Sequence, residues 1–282
     1  MSFKIENIKG FFIASSPIVH QGDEKTGSEK LFNRQRVFVD EKEKIEELPF
    51  ISGNAIRGIW RRLIMKDLLN LIGMNEINSS RNYHMLFSGG ILESVSEKDS
   101  GTINLELKQK VRELIIPISL FGTMYKNQSF GGKLQVGFLI PICKEYHSLL
   151  PSEDEMDSEF KTRLKKSIHT YRDFQFQTRM DDLKEERKDD ENAIQMLFRF
   201  EVLISGTGFF HEIKVIDPSN LELSALSRVF ELWYNNSTIG GKSNTGFGNL
   251  KGKYNFNKSS EEYLKFVEEN KKEIVSLLLE LK

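Results

Sequence analysis

The run Ile239-Gly-Gly-Lys-Ser-Asn-Thr-Gly-Phe-Gly248 constrains this chain more than any other. Four of its ten residues are glycine, and it carries Lys242, Ser243, Asn244 and Thr245 with no acid. Glycine reaches positive φ and has no Cβ, so Gly240, Gly241 and Gly246 let such a loop turn backbone N–H groups toward one point. That concavity suits an anion, and phosphate is the usual one. Lys242 adds charge; Ser243, Asn244 and Thr245 add neutral donors. It is not a P-loop, since no G-x-x-x-x-G-K-[ST] pattern is present and no helix pattern follows. The order is helix, Gly-rich loop, strand. A tight loop that only reverses the chain would use the same glycines.

A second anchor is the helix predicted over residues 54–72, where Ile56, Ile59, Trp60, Leu63, Ile64 and Leu68 recur at helical spacing. Ser52 or Asn54 can cap its start, and Gly73 stands where a C-cap would. Arg57, Arg61, Arg62 and Lys66 fall largely off the apolar face. Arg57 and Arg61 are one turn apart and point the same way. A solvated basic face explains any one of them. Four bases in ten residues, beside a glycine turn and a helix N-terminus, favour a surface that contacts phosphate.

Between these anchors the charge is uneven. Residues 161–180 hold six bases, Arg172 and Arg179 among them, against the single acid Asp173, with Tyr171, Phe174 and Phe176 interleaved. Bases and aromatics together suit single-stranded nucleic acid, although Phe174 and Phe176 at period two could equally face a core. Residues 181–191 reverse the sign, with seven acids and three bases, and read as an exposed tip. Residues 153–159 read as an acidic linker and residues 20–33 as a polar loop.

The remaining pattern gives a strand within 3–19, a short strand at 34–39, a charged turn at 40–47 and an insertion at 73–117 with a helix-like run at 105–114. A strand follows at 134–141, and two more flank Gly206 and Gly208. A helix at 221–234 is opened by a Ser219–Glu222 capping box. A strand at 249–256 and a last helix at 260–281 close the chain. This order predicts an α+β fold: a ferredoxin-like (RRM-like) βαββαβ core with large insertions, one a thumb-like β-hairpin at about 161–195. Residues 1–256 form one domain on this reading, and 257–282 a C-terminal helix. Domains of this type often present their sheet to RNA, but fold alone does not settle function.

Composition excludes some alternatives. A net charge of −1 argues against a uniformly basic nucleic-acid binder while allowing local patches. The lone Cys143 rules out an internal disulfide and a Cys-based zinc site. The five histidines (His20, His84, His147, His169, His211) are scattered without ligand spacing, so neither metal nor cofactor is expected. With no signal peptide and no apolar run near ~18 residues, the expected location is cytoplasmic, away from membranes.

Three motifs in order, Phe50-Ile-Ser-Gly-Asn-Ala-Ile-Arg-Gly-Ile-Trp-Arg-Arg62, Ser119-Leu-Phe-Gly122 and Gly240-Gly-Lys-Ser-Asn-Thr-Gly-Phe-Gly248, resemble the RAMP superfamily of CRISPR-associated proteins. Within it the chain is most similar to the Cas-seven backbone subunits that coat the guide RNA of class 1 effectors. The run from Tyr171 to Asp182 resembles the start of that family's thumb. The resemblance implies several partners: guide RNA (crRNA), target nucleic acid paired to it, further copies of this chain in a filament, and other effector subunits. It also places the helix after Gly53 and the Gly-rich loop against the guide backbone.

One departure bears on activity. RNA-cutting relatives carry an Asp where this chain has about Arg34, and Asp23 lies in the wrong part of the preceding stretch. No catalytic residue is therefore expected. The alternative is a RAMP-type endoribonuclease, cutting target RNA through Asp23 or precursor guide RNA through His20. A protein-binding scaffold with basic surfaces is a third possibility.

Overall fold

A computed structural model of the chain describes residues 4–26, 29–39, 44–74, 76–77, 79–90, 104–126, 128–179 and 196–281. The first part of the chain runs β1 (Ile5–Ala14), β2 (Gln21–Thr26), β3 (Glu29–Phe32), β4 (Arg34–Phe38), β5 (Ile45–Pro49), α1 (Gly53–Ile72) and α2 (Ser80–Tyr83). The middle holds α3 (Leu105–Leu114), α4 (Ile116–Phe121), β6 (Thr123–Tyr125), β7 (Gln128–Phe130), β8 (Leu134–Val136), β9 (Ile140–Pro141) and α5 (Ser158–Leu164). Then come β10 (Arg172–Arg179), β11 (Met196–Leu203), β12 (Gly208–Ile216), α6 (Asn220–Tyr234), β13 (Leu250–Tyr254), α7 (Glu261–Glu269) and α8 (Lys271–Glu280).

The main sheet has the order β13-β1-β12-β8, with β9 also on β12, and every neighbouring pair is antiparallel. Alternation on β1 sends Ile8, Phe12 and Ala14 inward. The rings of Phe12 and Tyr254 meet Trp60 of α1 or Trp233 of α6, so both helices pack on the same face. Phe11, from the other face, meets Phe160 of α5. The described chain is thus a mixed α+β structure built largely on antiparallel sheets.

The sequence explains α1 in detail. Ile56, Trp60, Ile64, Leu68 and Ile72 form a buried i, i+4 stripe. Ser52 Oγ accepts from the Ala55 N–H at 3.3 Å, and Gly73, at φ 75°, closes the helix with its N–H on the Asn70 and Leu69 carbonyls. Asn54 lies inside the first turn, exposed, and is not the cap. At Gly53 the helix start presses on β8, where an added Cβ would stand 2.1 Å from the Val136 carbonyl oxygen.

Several expectations are corrected. Residues 20–33 are not a loop: they carry β2 and β3, and β3 pairs in parallel with β11 in a second sheet, β10-β11-β3-β2. The charged turn at 40–47 is shorter than expected, since β5 begins at Ile45. The acidic stretch 153–159 is a 3-10 turn leading into α5, with Met156 buried. The last helix is two, α7 and α8, broken at Asn270. Both pack on the body: the Tyr263 N–H donates to Ser224 Oγ of α6, and Asn82 Nδ2 donates to the Leu278 carbonyl. Among the described residues, no helix is long and apolar enough to cross a membrane. The acidic tip at 181–191 lies outside the described residues.

Candidate nucleic-acid interface

Two basic grooves are present, and one hydrogen bond at the start of α1 links their walls. The first lies beside the Gly-rich loop and has a volume of about 490 Å³, lined by Val19, His20, Gln21, Lys30, Phe198, Arg199, Phe200, Gly241 and Lys242. The loop stem is closed by the Thr238–Asn249 bridge and by the Ile239 N–H on the Gly248 carbonyl. Gly240 is required at its position: its φ is +74°, and a Cβ would stand 2.2 Å from the Val19 carbonyl oxygen. The expected nest of free N–H groups is corrected, because most are used inside the protein. Gly241 donates to Val19, Thr245 and Phe247 to Lys242, Gly246 to Ser243, and Gly248 to Pro17. What the loop presents is side chains, with Ser243, Asn244 and Thr245 exposed.

Lys242 sits in the left-handed region at φ 60°. Its ammonium lies 4.6 Å from the Phe200 ring centroid and donates to Gln177 Oε1. Partial burial, and then the charge of Lys30, hold its pKa below the usual lysine value. Lys30 itself is exposed on β3.

His20 links this groove to the second. Its Nε2 accepts the Ser52 N–H at 3.2 Å, one residue before α1 begins. Burial lowers the imidazole pKa, and the Nε2 lone pair is taken by that N–H.

The second groove has a volume of about 760 Å³ and runs along α1. Asn54, Arg57, Gly58, Arg61 and Arg62 line one side; Tyr83, Phe87–Gly89, Phe121–Met124 and Ser129–Gly132 line the other. Arg57 Nη2 donates to the Phe121 carbonyl, and Arg61 Nη2 donates to the same oxygen at 2.7 Å and to Gly122 at 2.7 Å. No ion pair joins Arg57, Arg61, Arg62, Lys30 or Lys242 to a carboxylate among the described residues. Burial, together with the neighbouring Arg57 charge, pushes the Arg61 pKa down to about 10, and burial lowers Arg57 as well. Among the described residues two cations crowd one carbonyl without a counter-ion, which is costly unless an anion joins them.

The expected site residues therefore separate. Ser52, Asn54, Arg57, Arg62, Gly240, Gly241, Lys242, Ser243, Asn244 and Gly246 lie on or beside the two grooves. Arg61 is corrected from a solvated position: it is only 5% exposed, with its donors on the Leu86, Phe121 and Gly122 carbonyls. Arg172 is engaged inside the protein as well. Its Nε donates to Glu201, a fully buried carboxylate that also takes Arg34 Nη2 at 2.7 Å and the Phe32 N–H at 3.0 Å. Arg179 is placed by its backbone pairing with Met196, at the far end of β10. Lys30 and the turn at Phe121–Gly122 were not among the expected site residues. Lys30 was hidden in a stretch too polar to read as strand, and Phe121 and Gly122 offer backbone carbonyls rather than side chains.

The fold defines an α+β protein whose two basic grooves are tied at one helix start. A family model described as the RAMP superfamily matches residues 12–251, and the chain belongs to that superfamily. No curated protein matches the chain. Many solved structures do. One is a chain of a Type IV-B CRISPR complex, similar with a TM-score of 0.58 and 17% identity, covering 88% of this chain and 90% of that one. At that identity the likeness concerns the fold.

Proposed function

We propose that this chain is a non-catalytic subunit that binds the sugar–phosphate backbone of guide RNA in a CRISPR effector complex. One observation carries the reading: Arg57 and Arg61 share the Phe121 carbonyl with no carboxylate partner among the described residues, beside a helix start that Ser52 ties to His20 of the other groove, where Lys30 and Lys242 lie. Phosphate diesters supply the missing negative charge. A cradle of cations and hydroxyls holds a backbone of any sequence and leaves base edges free to pair. Membership of the RAMP superfamily and the name of the matched complex support the assignment.

On this reading the main sheet with α1 and α6 is a ferredoxin-like body within residues 1–256, and β10–β11 form the base of a thumb. The acidic residues 181–191 contact a neighbouring copy, and α7–α8 complete the C-terminal region. Arg34 stands at about the place where RNA-cutting relatives carry an acid, and it is engaged with Glu201. Purification of the chain tests the proposal: RNA of varied sequence should co-purify, and neither guide nor target should be cut, with or without Mg²⁺. A preparation free of nucleic acid, or specific cleavage abolished by Asp23→Ala or His20→Ala, would overturn it in favour of a scaffold or an endoribonuclease.

A further inference from the structure

The hairpin β4–β5 carries an exposed apolar pair. Phe38 and Ile45 are register partners across it, 54% and 52% exposed. One exposed apolar side chain is ordinary, but a cross-strand pair at the end of a two-stranded sheet makes a patch. Two residues further in, on the same face, Arg36 pairs with Glu47. Both are exposed, and neither is in an ion pair among the described residues. By sequence, residues 40–47 hold five acids and two bases.

A third groove, of about 750 Å³, lies between α3 and the start of α6. Its apolar wall is Leu105, 70% exposed, with Ile116 and Leu221. Lys108 and Arg112 stand one turn apart on α3 in the same groove, and they too meet no carboxylate among the described residues. The acids of the groove are already engaged. Glu222 accepts from Ser119 Oγ, Lys133 Nζ and the Ser219 N–H, and Glu113 accepts from Gln109 Nε2. Within one copy the hairpin is anchored elsewhere, by Gln35 on Tyr146 and Arg34 on Glu201, whereas α3 packs on α4 and α8.

We propose that the β4–β5 hairpin of one copy docks into the α3–α6 groove of a second copy. Phe38 and Ile45 cover Leu105, Ile116 and Leu221, and Glu47 faces Lys108 and Arg112. Apolar surface leaves water on both sides, and the charges beside it meet their opposites. The other acidic stretch, 181–191, has Leu183 as its only apolar residue, so it answers the charge of the groove but not its wall. Hairpin and groove are different surfaces. The contact is therefore head to tail and leaves a free hairpin at one end and a free groove at the other, which adds copies in series. The inference rests on the RNA-binding reading for the reason copies line up: neighbours on one RNA raise each other's effective concentration.

Mixing two variants of the full chain at high concentration, without RNA, tests this. A Phe38→Cys copy and a Leu105→Cys copy are combined and treated with a short bismaleimide; Cys143 is buried and stays out of the reaction. The mixture should give a cross-linked dimer, with peptide mass spectrometry placing the link between positions 38 and 105. Either variant alone should give almost none. Adding Glu47→Lys to the hairpin copy should lower the yield about tenfold, and adding Lys108→Glu/Arg112→Glu to the groove copy should restore it. That rescue separates lost docking from lost folding. Equal yields in every mixture, a link at other positions, no link, or no rescue by the charge swap would overturn the docking and give the groove to another protein or to none. RNA binding by the wild type is measured in parallel. If RNA binds and positions 38 and 105 do not join, the docking is wrong and the RNA-binding reading stands; if they join and no RNA binds, the docking holds and that reading fails.

Discussion

Arg57 and Arg61 look alike in the sequence: same residue type, one turn apart, same face. The protein separates them through groups far along the chain, the carbonyls of Leu86, Phe121 and Gly122. No helix periodicity encodes those partners, so the burial of Arg61 was not legible. Replacing Arg61 with Ala should cost about 1–3 kcal/mol of stability in urea unfolding, because charge-assisted hydrogen bonds to three carbonyls are lost. Arg61→Lys should not restore it, since an ammonium lacks the planar fork that spans them. Arg57→Ala should act mainly on RNA affinity. A separate residue-level expectation concerns His211, which is fully buried between the Tyr254 hydroxyl and the Gly137 carbonyl. Burial lowers its pKa to about 4. Below the ordinary histidine value near 6.5 the unfolded chain takes up a proton that the folded chain refuses. Its contribution to stability is therefore present above about pH 6.5 and is lost as pH falls toward 4. In an NMR titration the His211 ring should keep its neutral-form shifts well below pH 6.5; protonation near that value would contradict this.

Elements with local signals were the legible ones. The stripe and caps of α1 and the Ser219–Glu222 capping box of α6 are written within a few residues, and both helices form where expected. β2 and β3 were missed because their stability is non-local: β3 pairs with β11, about 170 residues later, and Glu29-Lys30 shows no apolar alternation. The break at Asn270 was hidden by apolar residues that keep helical spacing through it. Two predictions belong at this scale. Gly53→Ala forces a Cβ against the Val136 carbonyl, so α1 must shift; a loss of about 1–3 kcal/mol is expected, with weaker RNA binding because Arg57 moves too. Glu201 joins β11 to Arg34 at the start of β4 and to Arg172 at the start of β10. Glu201→Ala leaves two guanidiniums without their partner and should cost about 3–5 kcal/mol, measured by chemical denaturation.

For the whole molecule, the mixed α+β class was readable, as was the alternation of basic and acidic segments along the sequence. How the grooves join was not, because the His20–Ser52 contact bridges two segments whose proximity only the fold creates. β10 and β11 pair out to Arg179 and Met196, so a deletion of 182–190 can be closed by a turn between adjacent strand ends. Such a deletion should leave the body folded and single-site RNA binding nearly intact, while shortening assemblies on long RNA in electron micrographs. Full-length assemblies with regular RNA protection would remove the acidic segment from that role. The most direct measurement of the backbone cradle is the salt dependence of RNA binding by the wild type and by a Lys30→Ala/Arg57→Ala/Lys242→Ala variant. Each lost phosphate contact lowers the slope of log K against log salt by about 0.7, so the slope should fall by roughly two, equally for RNAs of unrelated sequence. An unchanged slope, or a loss confined to one RNA sequence, would contradict a phosphate cradle at these grooves.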